Sequence, residues 1–472
     1  MCKRKWVLRL TVFITAGILS MIVTGCGRIA GSGAPGNGSG KDPELAGRLN
    51  EFLSAFNENS SYKYSGTVLV ARGDEIILEQ GYGMADYDRN LPNKPESVFA
   101  AGSITKSFTA AAILQLQEKG LLNVDDPVSK YVGGNGWESK VTLRQLLTHT
   151  SGLPRDGIIP GKRYVSLDEN VESVKKQSLL FDPGKNFSYS NAGYSILAAI
   201  IGKVSGKSYN EYIRENIFLP LGMNRSRCGT DASYANGQSV GYLLKTGKPL
   251  RLSIYDLSGE TGSGNIYSTA YDLYKYERGI CNGKILSKES SDWMFSPQWG
   301  DWSSGYGYGW EITEKYGRKR FSHGGNIAGG GYVSLIIRYP GEGFLLVFLS
   351  NNADKTALNA VSGTMEAIVC GKEYVIPEKT EKIKPDPEVL KQYAGEYDFG
   401  EGAMLSVGCR DGKLYSTADD GNLYELIPIT GSRFYFQDHQ WVQDEFVRDR
   451  ENRGITLKIH NAGRVFEGKK VK

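Results

Sequence analysis

The apolar positions fall into distinct regimes along the chain. "PELAGRLNEFLSAF" carries apolar residues at helical spacing. "SGTVLVARGDEIILEQGYG" then switches to strand-like runs on either side of "RGDE", the pattern of a β-hairpin. In "FAAGSITKSFTAAAILQLQEKG" helical spacing returns and predicts a helix over 103–119, closed by Gly120. Short helices and loops alternate from there to about Asp256. "TLRQLLTHTSGLP" and "NAGYSILAAIIGKVSG" are the clearest helical pieces, the second ended by Ser205-Gly206.

Past Gly305 the pattern becomes β, with "GYGYGWEI", "KRFSHGG", "GYVSLIIRYP" and "GFLLVFLSNN" separated by turn residues, and the helix "DKTALNAVSGTMEAIVCG" follows. Strands near both ends of this region bracket a largely helical middle. The economical fold is one antiparallel sheet assembled from both ends, flanked by helices, with an all-helical subdomain beside it, an α/β (α+β) architecture. "PEKTEKIKPDPE" is charged and proline-rich and reads as a linker over 377–388. Beyond it, strands alternate with Asp-Gly and Asn-Ala-Gly turns, which predicts a small all-β, barrel-like domain over 389–472.

The N-terminus adds a destination. "MCKRKWVLR" is basic, "LTVFITAGILSMIV" is apolar, and small residues lead to Cys26, the form of a secretory signal over 1–25. "VTGC" also has the form of a bacterial lipobox, which would make Cys26 a lipidation site, and "GRIAGSGAPGNGSGK" would serve as a flexible tether over 26–41. The expected location is the outer face of the bacterial cell membrane. Residues 1–25 hold four basic side chains and no acid, so their removal takes the net charge of +4 to near zero. A nucleic-acid partner is therefore not expected. Four histidines without an H-E-x-x-H, and cysteines without a paired C-x-x-C, give no basis for a metal site, and no cofactor is expected. The oligomeric state is not legible.

Candidate chemistry begins with S-x-x-K, which occurs three times: Ser60/Lys63, Ser103/Lys106 and Ser173/Lys176. A serine hydroxyl needs a base to attack an acyl carbon, and a lysine serves only when neutral, a state favoured by burial. Positions i and i+3 of a helix share a face, so Lys106 can reach the Ser103 hydroxyl. Ser103 stands at a helix start, where backbone N–H groups are free to hold an oxyanion, and the apolar residues around it desolvate Lys106. Ser60/Lys63 lies in a polar connector, and Ser173/Lys176 on a charged helix face. Only Ser103/Lys106 has a protected setting.

"SITK", "LLTHTSGL", "PGKNFSYSNAGYSILAAII", "GYGYGW" and "HGG", in that order, resemble the serine β-lactamase and penicillin-binding-protein superfamily, in the branch of class C β-lactamases, DD-carboxypeptidases, D-aminopeptidases and related esterases. The resemblance implies a catalytic domain over 42–376 with Ser103, Lys106 and Tyr189 as catalytic residues. It further implies that Asn191, His323, Gly324, Gly325 and Asn326 bind substrate, with the Asn326 N–H as second oxyanion donor on an edge strand. The Y-x-N motif has two spellings here, "YSN" at 189–191 and "YAN" at 234–236, and context favours the first. The literal "KTG" at 245–247 reads as a hairpin tip, so "HGG" is taken as the third motif. His149, in "LLTHTSGL", is expected to be a buried, hydrogen-bonded structural residue. The glycine run over 325–331 is expected to be a turn between strands.

None of the three Leu-Asn pairs, at 49–50, 122–123 and 358–359, carries the glutamate of class A enzymes. "HGG" also lacks the lysine that meets a β-lactam carboxylate. The resemblance therefore implies a hydrolase acting through an acyl-enzyme on D-amino-acid peptides of cell-wall type, or on small esters. A penicillin-binding protein that acylates without efficient turnover and a weak class C-like β-lactamase are the alternatives.

Overall fold

The computed structural model describes residues 42–60, 62–157, 164–229, 237–244, 249–252, 256–377, 385–400, 403–417, 423–436, 439–449, 454–461 and 464–471. The signal, Cys26, the tether, and the "YAN" and "KTG" triplets lie outside the described residues. The described chain forms two compact units, Ser65–Lys355 and Asp42–Tyr64 with Thr356–Lys472.

The first unit is built on an antiparallel sheet of eight strands. Their spatial order is Trp299–Gly300, Ser304–Tyr306, Glu311–Lys315, Arg318–Ile327, Tyr332–Tyr339, Phe344–Ser350, Gly66–Arg72 and Glu75–Tyr82. The early hairpin joins the late strands along Gly66↔Ser350 to Arg72↔Phe344, so the sheet draws on both ends of the unit as the pattern predicts. Phe344–Ser350 is buried at every position, which accounts for its unbroken apolar spelling. Helix Ala270–Cys281 packs on strands Gly66–Arg72 and Phe344–Ser350, with Leu273, Tyr276 and Ile280 buried.

A second helix, Thr105–Glu118, is buried on all sides from Thr105 to Leu116. That burial explains why its apolar residues are not confined to one stripe, and its polar ones, Thr105, Lys106, Ser107, Thr109 and Gln115, are buried with them. It packs against helix Asn191–Ser205, which begins where the Ser190 side chain accepts from the Gly193 N–H and ends on Gly206 in the left-handed region.

In the second unit, helix Pro43–Asn59 packs against helix Thr356–Val369. Eight strands from Gly395–Asp398 to Arg464–Lys470, each paired with the next, close into a barrel through Tyr397↔Lys470 and Asp398↔Lys469. Helix Pro387–Tyr393 precedes them, and Tyr393 stacks on Phe446 of the barrel at 4.4 Å.

Candidate active site

The nucleophile candidate sits in a 3₁₀ turn, Gly102–Ile104, that runs into helix Thr105–Glu118. Ser103 is half-buried at the turn, and Lys106, one turn on, is fully buried. Its Nζ lies 3.2 Å from Ser103 Oγ, 2.7 Å from Asn191 Oδ1 and 2.8 Å from the Ser263 carbonyl oxygen. Two of these neighbours can only accept. The Ser263 oxygen is a carbonyl, and the Asn191 amide is oriented by its Nδ2, which donates to Asp156 Oδ1 at 2.6 Å. A neutral amine has two N–H groups and one lone pair. With both N–H groups spent on those acceptors, the lone pair faces the Ser103 hydroxyl, the arrangement a base requires. Burial pushes the Lys106 amine down to about 7, with Glu260 opposing, Arg155 assisting and Asp156 opposing.

The other two S-x-x-K pairs have no such setting. Lys63 is exposed and donates to the Glu58 carbonyl, while Lys176 is exposed beyond the end of helix Leu167–Lys175.

The second motif lies against this pair. Lys106 Nζ stands 4.8 Å from the centre of the Tyr189 ring. Burial raises the phenol above its ordinary value, and its hydrogen bond with Ser103 pulls the other way. Tyr189 is therefore held in its protonated form, the state in which a phenol can hand a proton on. The Arg155 carbonyl accepts from the Asn191 and Ala192 N–H groups at 2.6 and 3.1 Å, fixing the start of the helix that carries Asn191. One Asn191 N–H is left for a substrate carbonyl after Asp156 takes the other.

The third motif lies on strand Arg318–Ile327, and here the structure differs from the expected edge strand. This strand is fourth of the eight. Residues 318–322 pair with Glu311–Lys315 on one side, whereas His323–Ile327 pair only with Tyr332–Ile336 among the described strands. Only the second half is an edge. "HGG" lies inside the strand, and 325–327 of the glycine run, expected as a turn, are strand, with the 3₁₀ turn Ala328–Gly330 after them.

Two glycines let this half-edge touch the Ser103 turn. Gly102 has φ +53°, and a Cβ there would sit 3.0 Å from the Asn326 nitrogen. A Cβ on Gly325 would sit 2.1 Å from the Ala101 oxygen and 2.2 Å from Ser334 Oγ, atoms that hydrogen-bond each other at 2.7 Å. The Asn326 N–H is thus brought beside the first turn of the Ser103 helix, where N–H groups lack intrahelical acceptors. Two backbone donors at one acyl oxygen form an oxyanion site.

His323 is placed differently from a substrate-facing residue. It is 1% exposed, with Nε2 3.1 Å from the Tyr306 hydroxyl and Nδ1 2.9 Å from the Gly324 oxygen. Both nitrogens are used inside the protein. Burial, helped by Lys106, pushes the imidazole down to about 3, so no cation replaces the K-T-G lysine at this position. Gly324 is half-buried in the same strand.

His149 is buried, as expected, but at the edge of the site, with its ring 4.3 Å from that of Tyr189. Sequence reasoning did not anticipate Ser263, Glu260, Asp156 or Tyr306. Ser263 and Glu260 lie in "SGETGSGN", whose glycine density was the available signal. A Cβ on Gly262 would meet Ala198 Cβ at 2.5 Å, so the loop passes close to the Asn191–Ser205 helix.

A serine, a buried lysine one turn on, a tyrosine against both and a glycine-paved half-edge come together on an antiparallel sheet, the set of groups that acyl transfer to a serine would need. The chain belongs to the Beta-lactamase family, whose family model matches residues 50–364. Penicillin-binding protein 4* of Bacillus subtilis (strain 168) is 31% identical over 406 residues, 80% of this chain and 88% of that protein. Teichoic acid D-alanine hydrolase of Staphylococcus aureus (strain MRSA252) is 29% identical over 258 residues, 55% of this chain and 60% of that protein. Among solved structures, the octameric penicillin-binding protein homologue from Pyrococcus abyssi superposes with a TM-score of 0.62 at 28% identity, covering 90% of this chain and 99% of that one.

Proposed function

We propose that the protein is a serine hydrolase that works through an acyl-enzyme on Ser103, with D-alanyl peptides or D-alanyl esters of cell-wall type as substrates. The observation that carries this reading is the Lys106 amine, 3.2 Å from Ser103 Oγ with its two N–H groups committed elsewhere. Ser103 Oγ bonds to the acyl carbon while its proton passes to Lys106. The negative charge on the acyl oxygen is held by the Ser103 and Asn326 N–H groups. The bond to the leaving amine or alcohol then breaks, and that group takes a proton relayed from Lys106 through Tyr189. Water attacks the acyl ester by the same route in reverse, returning a proton to Ser103. Asn191 positions the substrate carbonyl.

A relative bearing the name teichoic acid D-alanine hydrolase supports the D-alanyl substrate class. The neutral His323 argues against strong recognition of a β-lactam carboxylate at the third motif. Export with a lipid on Cys26 would place the enzyme at the wall. The test is a panel of D-alanyl peptides, D-alanyl and short-chain esters and a chromogenic cephalosporin, followed through the first turnover. Sustained hydrolysis of a D-alanyl compound supports the reading. A single stoichiometric release that then stops marks a penicillin-binding protein without turnover, and sustained cephalosporin hydrolysis alone marks a β-lactamase.

A further inference from the structure

We propose that Tyr306 is a positioning residue, the central link in a one-directional hydrogen-bond chain that ties the Tyr189–Asn191 segment to the oxyanion strand and fixes His149 and His323 in opposite tautomers. The inference rests on the acyl-transfer reading for its effect on rate, but not for its geometry.

The chain begins at a group of fixed polarity. The Ser190 N–H can only donate, and it meets His149 Nδ1 at 3.0 Å. His149 Nδ1 is therefore the lone-pair nitrogen. The ring is fully buried, and burial, Lys106, His323 and Arg155 all disfavour its charge, so its one proton sits on Nε2. That N–H faces the Tyr306 oxygen at 3.2 Å. Tyr306 accepts it, and although Tyr194 also offers its hydroxyl oxygen, the Tyr306 hydrogen turns to His323 Nε2, 3.1 Å away, because the Gly324 carbonyl beyond that ring can only accept. His323 consequently carries its proton on Nδ1, which donates to the Gly324 carbonyl at 2.9 Å. The last acceptor is also of fixed polarity. Both ends being backbone groups, only this order satisfies all four bonds; reversing any member sets lone pair against lone pair or proton against proton.

The ends of the chain lie where the chemistry needs rigidity. Ser190 separates Tyr189 from Asn191, and the His149 ring lies against the Tyr189 ring at 32°. His149 itself has φ +59°, a conformation uncommon for a residue with a side chain. At the other end Gly324 precedes Gly325 and Asn326, the segment pressed against the Ser103 turn. The chain therefore sets the distance between the proton relay and the oxyanion donor. Tyr306 and His149 touch neither nucleophile nor base by any hydrogen bond found among the described residues.

The chain has only four histidines, which makes the tautomers directly readable. The full protein, labelled with ¹⁵N in its imidazoles, is examined by long-range ¹H–¹⁵N spectra from pH 5.5 to 8. Two rings should show no titration, one a neutral Nε2–H tautomer and the other a neutral Nδ1–H tautomer, assigned by His149→Gln and His323→Gln. Tyr306→Phe keeps the ring and removes the hydroxyl. It should lower kcat on a chromogenic ester by roughly ten- to a hundredfold with KM within about threefold, the signature of lost orientation. Fluorophosphonate labelling of Ser103 should persist. Identical tautomers for the two rings, titration of either one between pH 6 and 7, or an unchanged kcat in a folded Tyr306→Phe would overturn the proposal. If that variant fails to fold, the wild-type spectra alone decide. Failure of the hydrolase reading is distinguishable, because it appears as absent Ser103 labelling with the spectra as expected.

Discussion

The Lys106 amine donates to the Ser263 carbonyl across 2.8 Å, although 157 positions separate the two residues. That bond and the one to Asn191 decide what the lysine can do. An amine with its hydrogens held by two fixed acceptors has one direction left for its lone pair, and Ser103 Oγ occupies it. On the proposed mechanism this pairing makes Ser103 the nucleophile and Lys106 its base.

The pH dependence follows from Lys106. Its folded value is about 7, below the usual lysine range, so the neutral, basic form gains population as pH rises through 7. The rate of acylation should climb over that interval. Glu260 stabilises the cation and Arg155 destabilises it. Glu260→Gln should shift the rising limb of kcat/KM to lower pH, and Arg155→Gln should shift it to higher pH. Movement of either limb in the opposite direction would contradict this assignment of the base.

Gly102 and Gly325 should be irreplaceable for the oxyanion site. Gly102→Ala introduces a side chain at φ +53° and 3.0 Å from the Asn326 nitrogen, and Gly325→Ala drives a methyl into the Ala101 carbonyl. Each should lower kcat by about a hundredfold or more, the order of a lost oxyanion donor, with a reduced melting temperature. Steady-state kinetics and thermal melts check both effects.

Tyr189→Phe should reduce the rate by about a hundredfold to ten-thousandfold while circular dichroism holds steady, because only the proton relay is removed. Tyr234→Phe, at a position outside the described residues, should stay within a few-fold of wild type, roughly the effect of a surface change. The reverse result would move the second motif to "YAN".

The sheet, the central helix, the late strands and the barrel were legible because their apolar periods are local and strong. Ser103, Lys106, Tyr189 and Asn191 were legible through short motifs with distinctive surroundings, and the structure brings the four together. His323 was singled out by the same route as a substrate-binding residue, but its burial and its bond to Tyr306 on a different strand were not foreseen. The half-edge was missed for a similar reason: "KRFSHGG" gives no sign that Glu311–Lys315 covers only its first residues. Ser263 acts through a main-chain oxygen, which no side-chain pattern can advertise.

Replacing Cys26 with serine should move the protein from the membrane fraction to the medium or periplasm, since "VTGC" supplies the expected lipid attachment. Lipid labelling and fractionation test this. Unchanged membrane association, with no lipid on the wild type, would contradict it.

The proposed mechanism turns on an acyl group carried by Ser103. Rapid-quench mass spectrometry during turnover of a D-alanyl ester measures it directly. A transient adduct of the acyl mass is expected on the peptide containing Ser103, present in Ser60→Ala and Ser173→Ala and absent, with all hydrolysis, in Ser103→Ala. An adduct on another residue, or undiminished hydrolysis by Ser103→Ala, would contradict it.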